Sequence, residues 1–424
     1  MENKILERAR DFYFLVVAVM MYYFITEYID VGLQMSYRHA FAFLLFASAV
    51  VLFLYKPDIP RGVTAFTEAC VYSIPLFVTI IVSLFIWFVG TVDVGVITRG
   101  LSSSFIYVNM LSAALGAGAL LYVFKGKGLW VNLVAILIAN ILMILTIIAQ
   151  YGLGSYFSEL VTLIVTFADE TGDIIIQAEV HELAFCQGAY LIYMLYKPKK
   201  DIAYYILFGV TIFCFLSAFK RIAMIAIVVA LVLGYILKLV EKFNKKSAAG
   251  LVTILNIVVI AILIGYVAII KMGAFTLLEE AGINTSGRVE IYGAVDKFYE
   301  FRPGFLGNGI GFLNYQLNTF MKVGVASVHN DFLQHFIDLG FWGYIIWLVS
   351  MTLVRSLYFG RGGNVENAII TFMLTIYLIV VSSTDNTMNY PLLMVTLAML
   401  MMGNSFEEDV EKCEYKIFGC IKGD

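Results

Sequence analysis

The sequence predicts an all-α polytopic membrane protein with about twelve transmembrane helices, and three observations carry that prediction. Hydrophobic residues make up 61% of the chain and charged ones 14%, with 34 Phe, 26 Tyr and a mean hydropathy of +0.88. That is more apolar surface than a soluble core can enclose, so a bilayer has to cover part of it. The apolar runs are each roughly 20 residues rather than alternating segments of about 10, which selects helices over a β-barrel. Lys and Arg also segregate between alternate connections, as the orientation of a multi-span chain requires. The net charge of −3 carries no nucleic-acid signature.

In chain order, the runs fall at 12–28, 40–55, 69–91, 103–124, 129–149, 181–196, 202–219, 221–240, 251–271, 331–354, 366–384 and 388–403. The first follows Lys4, Arg8 and Arg10, as a signal peptide would, but Glu27 and Tyr28 stand where a small-residue cleavage site belongs. It is read as a span that stays. The block 202–240 holds 39 residues with only Lys220 and Arg221 near its middle. A single helix of that length would measure about 58 Å, roughly twice the hydrocarbon thickness, so it must fold back with Arg221 at a tight turn. Between Tyr151 and Glu179 no basic residue occurs. The patch Leu160–Phe167 there is too short to span and precedes Asp169, Glu170, Asp173, Glu179 and Glu182, which reads as an interfacial or re-entrant helix.

With the N-terminus in the cytoplasm, cytoplasmic segments hold 19 of the 28 Lys and Arg residues. Both termini are therefore expected on the cytoplasmic side of the membrane, with 405–424 as a cytoplasmic tail. The whole chain, 1–424, reads as one integral membrane domain. Residues 272–330 form its large extracytoplasmic loop, just before the tenth span. Cys70, Cys186 and Cys214 lie in apolar runs and Cys413 and Cys420 in the tail, so no disulfide scaffold is expected.

The chemistry concentrates between Ser286 and Gly343, a stretch rich in aromatics and glycines that holds Arg288, Lys297, Arg302, Lys322, His329 and His335. Arg221 either snorkels to headgroups or, lacking a loop in which to escape, meets a phosphate, whose geometry the guanidinium fork matches. Arg288 follows a Thr-Ser-Gly turn and opens an amphipathic stretch through Tyr292 and Val295, with Ser286 as the expected N-cap and Glu290 in the first turn. A solvent-facing charge on a surface helix is the alternative. Gly304–Gly311 (GFLGNGIG) follows no buried strand, so close turns with free backbone N–H groups are expected there rather than a nucleotide loop. His329 stands just before a helix at the membrane mouth, where an imidazole can serve as a base or a purely structural group. Asp331, His335 and Asp338 share one helical face, read either as a metal site or as a polar stripe along a wet cavity. His181, beside Glu182, and Asp385, beside Asn386 and Asn389, add polar groups to other outward mouths.

Taken together, SGR at Arg288, PGFLGNGIGF, HNDFLQ at His329–Gln334, then an acidic residue and LGFWG resemble the O-antigen polymerase and ligase superfamily. The resemblance is strongest over 286–343 and weaker at Arg221, where Lys220 replaces the small polar residue common before the span arginine. It implies a GT-C-like helical architecture acting on sugars carried by polyprenyl diphosphate at the outer face of the membrane. It implies that Arg221 and Arg288 hold the diphosphate and that His329 lies beside the acceptor hydroxyl, making His329 and Arg288 the catalytic pair. Arg302 is assigned to the diphosphate as well, and Asn330, Gln334, His181 and Asp385 to the sugar substrate. No cofactor and no metal is expected, because polyprenyl diphosphate is a good leaving group whose charge arginines can stabilise. The expected partners are polyprenyl-diphosphate-linked oligosaccharides, the bilayer and a chain-length regulator protein. The activity read from this is polymerisation of repeat units, with ligation of the finished chain to lipid A core as the alternative. A lipid-linked sugar flippase is more distant, since it would call for internal repeats and broken spans, and no repeat is evident.

Overall fold

The structure, a computed structural model, describes residues 2–25, 34–90, 92–166, 174, 181–198, 201–218, 220–282, 285, 287–319, 328–361, 364–403 and 405–406. The regular structure among these residues is helical, with no strand. The first seven helices are α1 (Glu2–Ile25), α2 (Gln34–Tyr55), α3 (Ile59–Tyr72), α4 (Ile74–Val89), α5 (Val94–Phe124), α6 (Gly128–Tyr151) and α7 (Leu153–Thr166). The next four are α8 (His181–Tyr196), α9 (Ile202–Ser217), α10 (Arg221–Phe243) and α11 (Lys245–Lys271). Short helices α12 (Ala274–Glu280), α13 (Arg288–Val295) and α14 (Phe312–Thr319) precede α15 (Asp331–Phe359), α16 (Val365–Ser382) and α17 (Pro391–Met402).

By length and composition, five helical stretches among the described residues can cross a membrane, or six if the bent pair α3–α4 is one span. One stretch, Met110–Tyr151, joins α5 to α6. Lys125 takes a left-handed φ of 57°, and Gly128 then lies against the Leu120 carbonyl, so the chain doubles back there. Helices α7, α9 and α17 are shorter than a bilayer crossing. The described helices thus bear out an all-helical membrane architecture without establishing the count of twelve spans. The acidic segment 169–179 expected after Leu160 and the cytoplasmic tail lie outside the described residues, apart from Ile174, Ser405 and Phe406. Helix α7 itself packs Tyr156, Leu160 and Leu163 inward and leaves Phe157, Val161 and Val165 exposed, so it is amphipathic along the bundle side.

Helices α16 and α17 form the centre. Every residue of α17 is buried, as an all-round apolar helix requires. Helix α10 lies along α16, with Gly234 admitting Met373, and Gly188 of α8 admits Tyr377, close approaches that only a residue without a side chain permits. Helices α10 and α11 keep Val228, Val232, Ile236, Ile257 and Ile262 exposed, an apolar face for lipid. The 202–240 block breaks where its length demands. Helix α9 ends at Ser217, Lys220 is extended, and Arg221 begins α10.

The expected tenth span departs from its prediction. Helix α15 is kinked at Gly340 (φ 71°, ψ −178°), a conformation essentially confined to glycine. Residues 331–340 ahead of the kink are buried on every side, and exposed apolar residues begin only with Trp342 and Ile346. The kink frees backbone groups, and the glycine-rich loop satisfies them. Asn308 N–H donates to the Ile337 and Asp338 carbonyls, Gly309 N–H to Asp338, and Phe341 N–H to the Phe305 carbonyl. The N–H groups expected to be free in that loop are therefore the kink's hydrogen-bond partners. Phe301 and Phe305 stack on Phe336 at 5.7 Å, closing the loop over the helix.

Candidate functional site

Packing pairs fix which helix ends lie together. Lys197 faces Glu366 at 3.8 Å, and Tyr377 Oη donates to the Phe185 carbonyl, so α8 and α16 run antiparallel. Tyr235 Oη donates to the Leu195 carbonyl and Lys238 Nζ to the Tyr196 carbonyl, so α8 and α10 run parallel. The starts of α8 (His181) and α10 (Arg221) therefore share one end of the bundle with the α16–α17 connection. The start of α15 and the end of α11 join them there, because Tyr266 Oη donates to the Ser383 carbonyl and Asn330 Nδ2 to Tyr266 Oη.

Helix α13 brings Arg288 to this end. Its N-cap is Gly287 at a left-handed φ of 74°, whereas the expected cap Ser286 lies outside the described residues. Arg288 Nη1 donates to the Thr285 carbonyl at 3.1 Å and Nη2 to the Thr384 carbonyl at 2.8 Å. Its Nε is buried without a partner, and no carboxylate pairs with it among the described residues. A guanidinium held by two neutral carbonyls is a fork whose geometry matches a carboxylate or phosphate.

The residue after Thr384 faces His329. Asp385 Oδ1 stands 3.9 Å from His329 Nδ1 and accepts from Asn386 N–H at 2.7 Å and Tyr390 Oη at 3.1 Å. The His329 side chain is 45% exposed, against 14% for Asp385. Backbone strain marks His329 as well, since its φ of 52° is left-handed, a region few residues other than glycine enter. One loop thus holds Arg288 through Thr384 and faces His329 through Asp385. Burial, and then the Asp385 carboxylate, push the Tyr390 hydroxyl well up, so it stays a neutral donor. Burial likewise raises Tyr292, with Asn330 and Arg288 opposing.

The other sequence candidates separate. Asn330 is the N-cap of α15 and makes its hydrogen bonds inside the protein. Gln334 is buried one turn on and interacts with Asp338. Helix α8 brings Phe185 to stack on Tyr390 and Glu182 within electrostatic reach of it, which sets the start of α8 beside the site. The side chain of His181 lies outside what the structure describes. Arg221 is half-buried at the start of α10. Arg302 stands apart, 67% exposed and paired with Glu300 at 2.5 Å. The three residues of the Asp331–His335–Asp338 stripe make separate contacts within the protein. Asp331 accepts from Met388 N–H, and His335 Nδ1 bonds the Asp331 carbonyl while its ring stacks on Trp347 at 4.0 Å. Asp338 receives backbone N–H groups of Gly311 and Leu313 at the start of α14, where a carboxylate meets the helix dipole. Among the described residues no group of three His, Cys, Asp or Glu is arranged to hold a metal ion.

Sequence reasoning missed Tyr266, Tyr292 and Tyr390. Tyr292 lies four residues after Arg288, so helical spacing carried a signal for it. Tyr266, inside an apolar run, carried none.

One end of the apolar helical bundle thus brings together an arginine with no carboxylate partner among the described residues and a histidine of left-handed backbone. Residues 206–348, about a third of the chain, match the family model described as O-antigen ligase, a match that supports the O-antigen polymerase/ligase superfamily. The match runs from α9 to α15 and takes in Arg221, Arg288 and His329. It marks a membrane enzyme of O-antigen or surface-polysaccharide assembly. No curated protein matches the chain.

Proposed function

We propose that this protein is a glycosyltransferase that polymerises polyprenyl-diphosphate-linked oligosaccharide repeats at the outer face of the bacterial cytoplasmic membrane, with both termini inside. The donor is the growing chain on its lipid diphosphate, and the acceptor is the terminal sugar of a new lipid-linked unit. The acceptor hydroxyl attacks the anomeric carbon and the bond to the diphosphate breaks, with inversion. The observation that carries this reading is the anchoring of Arg288. Its guanidinium is anchored by carbonyls of Thr285 and Thr384, keeps a buried unpartnered N–H, and sits beside the loop that faces His329.

In this reading Arg288, with Arg221 at the same bundle end, binds the diphosphate and stabilises the charge it gains on leaving. Charge-assisted hydrogen bonds of this kind contribute about 1.5–3 kcal/mol each. Because a diphosphate leaves readily, this step calls for no metal. His329 takes or orients the proton of the acceptor hydroxyl, with Asp385 behind its Nδ1. Arg302 is left out of the diphosphate site because Glu300 already neutralises it in solvent. A chain-length regulator is the protein partner such a polymerase calls for.

Ligation of the finished chain to lipid A core is the second reading, favoured by the description of the matching family. Polysaccharide length on gels decides between them, in a deletion strain complemented with wild type, Arg288→Ala or His329→Ala at equal membrane levels. Single capped repeats in place of a ladder support polymerisation. A full ladder left unattached means ligation. An unchanged, attached ladder from both variants removes these residues from the chemistry.

A further inference from the structure

The two residues assigned to the chemistry sit on different elements, and neither holds the other directly. Between them stands Asn330. Its Oδ1 accepts from Phe332 N–H at 3.1 Å and Leu333 N–H at 3.0 Å, which caps α15. Its Nδ2 donates to Tyr266 Oη and Tyr292 Oη, each at 2.9 Å. An asparagine amide has two donors and one acceptor oxygen, so every group is used, and the residue is 0% exposed. Nothing remains to meet a sugar.

We propose that Asn330 is a positioning residue that sets His329 relative to Arg288, an inference that rests on the functional reading above. The connections close a ring. Asn330 follows His329 directly, and its amide reaches Tyr292, one helical turn from Arg288 on α13. Arg288 reaches the Thr384 carbonyl, and Asp385, next in the chain, faces His329. A cross-strut runs from Asn330 through Tyr266 to the Ser383 carbonyl in the same loop. The left-handed backbone of His329 is strained, so it persists only if its surroundings impose it. The residue that begins imposing it is Asn330, fixed on four sides.

Capping and clamping use different atoms, which makes the idea testable. Capping needs Oδ1, and serine or aspartate provides an equivalent oxygen. Clamping needs Nδ2, which neither provides. The experiment compares the full-length protein in membranes of a deletion strain, as wild type, Asn330→Ser, Asn330→Asp and the Tyr266→Phe/Tyr292→Phe double variant. The last leaves Asn330 in place and removes what it holds. The substrate is the lipid-linked repeat unit that the same strain accumulates, with Arg288→Ala and His329→Ala as references. The result expected is wild-type protein level for the serine and aspartate variants, KM within a few-fold, and kcat lower by about tenfold or more, since sub-ångström misplacement acts on turnover. The double variant shows the same split.

Wild-type turnover in the serine and aspartate variants, with both references inactive, overturns the inference and leaves Asn330 a helix cap. A raised KM at unchanged kcat overturns it too, by making Asn330 a substrate contact. If serine and aspartate prevent folding, the double variant decides, and wild-type kcat there ends the idea. References that turn over like wild type sink the functional reading itself, whatever Asn330 does.

Discussion

Two arginine sites at opposite ends of the bundle differ in how their donors are used. At one end Arg355, only 4% exposed, donates Nε and Nη2 to the Tyr72 carbonyl and lies over the Tyr72 ring at 4.1 Å. That carbonyl is freed where α3 and α4 bend by 51° at Ser73, ahead of Pro75, so Arg355 mends a broken helix. Arg361 nearby meets the buried Glu68 at 3.1 Å. Charge there is stacked or paired. At the other end Arg288 also leans on backbone carbonyls, but it keeps a buried N–H with no partner and no carboxylate among the described residues. A satisfied arginine closes a structure, whereas an arginine with a donor in reserve fits the anion-binding role proposed for Arg288.

The largest expected effect breaks or keeps that contrast. Arg288→Ala should lower polysaccharide chain growth at least a hundredfold at unchanged protein level, as loss of transition-state charge stabilisation does. Arg355→Ala should do the reverse, lowering the amount and detergent melting temperature of the protein while activity per molecule stays. Leaving the Tyr72 carbonyl unsatisfied costs about 1–3 kcal/mol. An Arg355 variant that is abundant yet inactive would erase the distinction.

Next in size is Gly340→Ala. A Cβ there would overlap the Leu306 carbonyl, at a φ of 71°. The conformation alone costs about 1–3 kcal/mol, so thermal unfolding should move clearly downward. Gly265→Ala in α11 is the control, since nothing lies within 4 Å of its Cβ position. It should leave melting unchanged or raise it slightly, by up to about 1 kcal/mol. Equal melting of the two variants would show that the loop does not lock the kink.

The smallest effect belongs to Arg302→Ala. Exposed ion pairs contribute about 0–1 kcal/mol, so chain growth should change less than a few-fold. A loss matching that of Arg288→Ala would return Arg302 to the diphosphate site.

Much of this protein is legible in its amino-acid order alone. Apolar run lengths call for helices in a bilayer, and the 39 residues of 202–240 have to break near Arg221 because one helix of that length overshoots the membrane. Arg288 and His329 stand out as charged or titratable groups beside apolar segments, where such a group needs a reason. Run length cannot show the Gly340 kink, because 331–354 has the composition of an ordinary span. Nor can it tell Arg302 from Arg288, which differ in pairing and not in type.

Local properties are written in the chain: which segments prefer lipid, where they turn, and which end collects polar groups. These follow from side-chain transfer energies and helix geometry, which each residue carries with it. Which polar groups are satisfied was decided by tertiary structure alone. Asn330 became a clamp when Tyr266 and Tyr292, 64 and 38 residues away, were folded against it, and Arg288 found its second carbonyl 96 residues on. Hydrogen bonds act over about 3 Å, so a donor's partner is set by what the fold brings within reach.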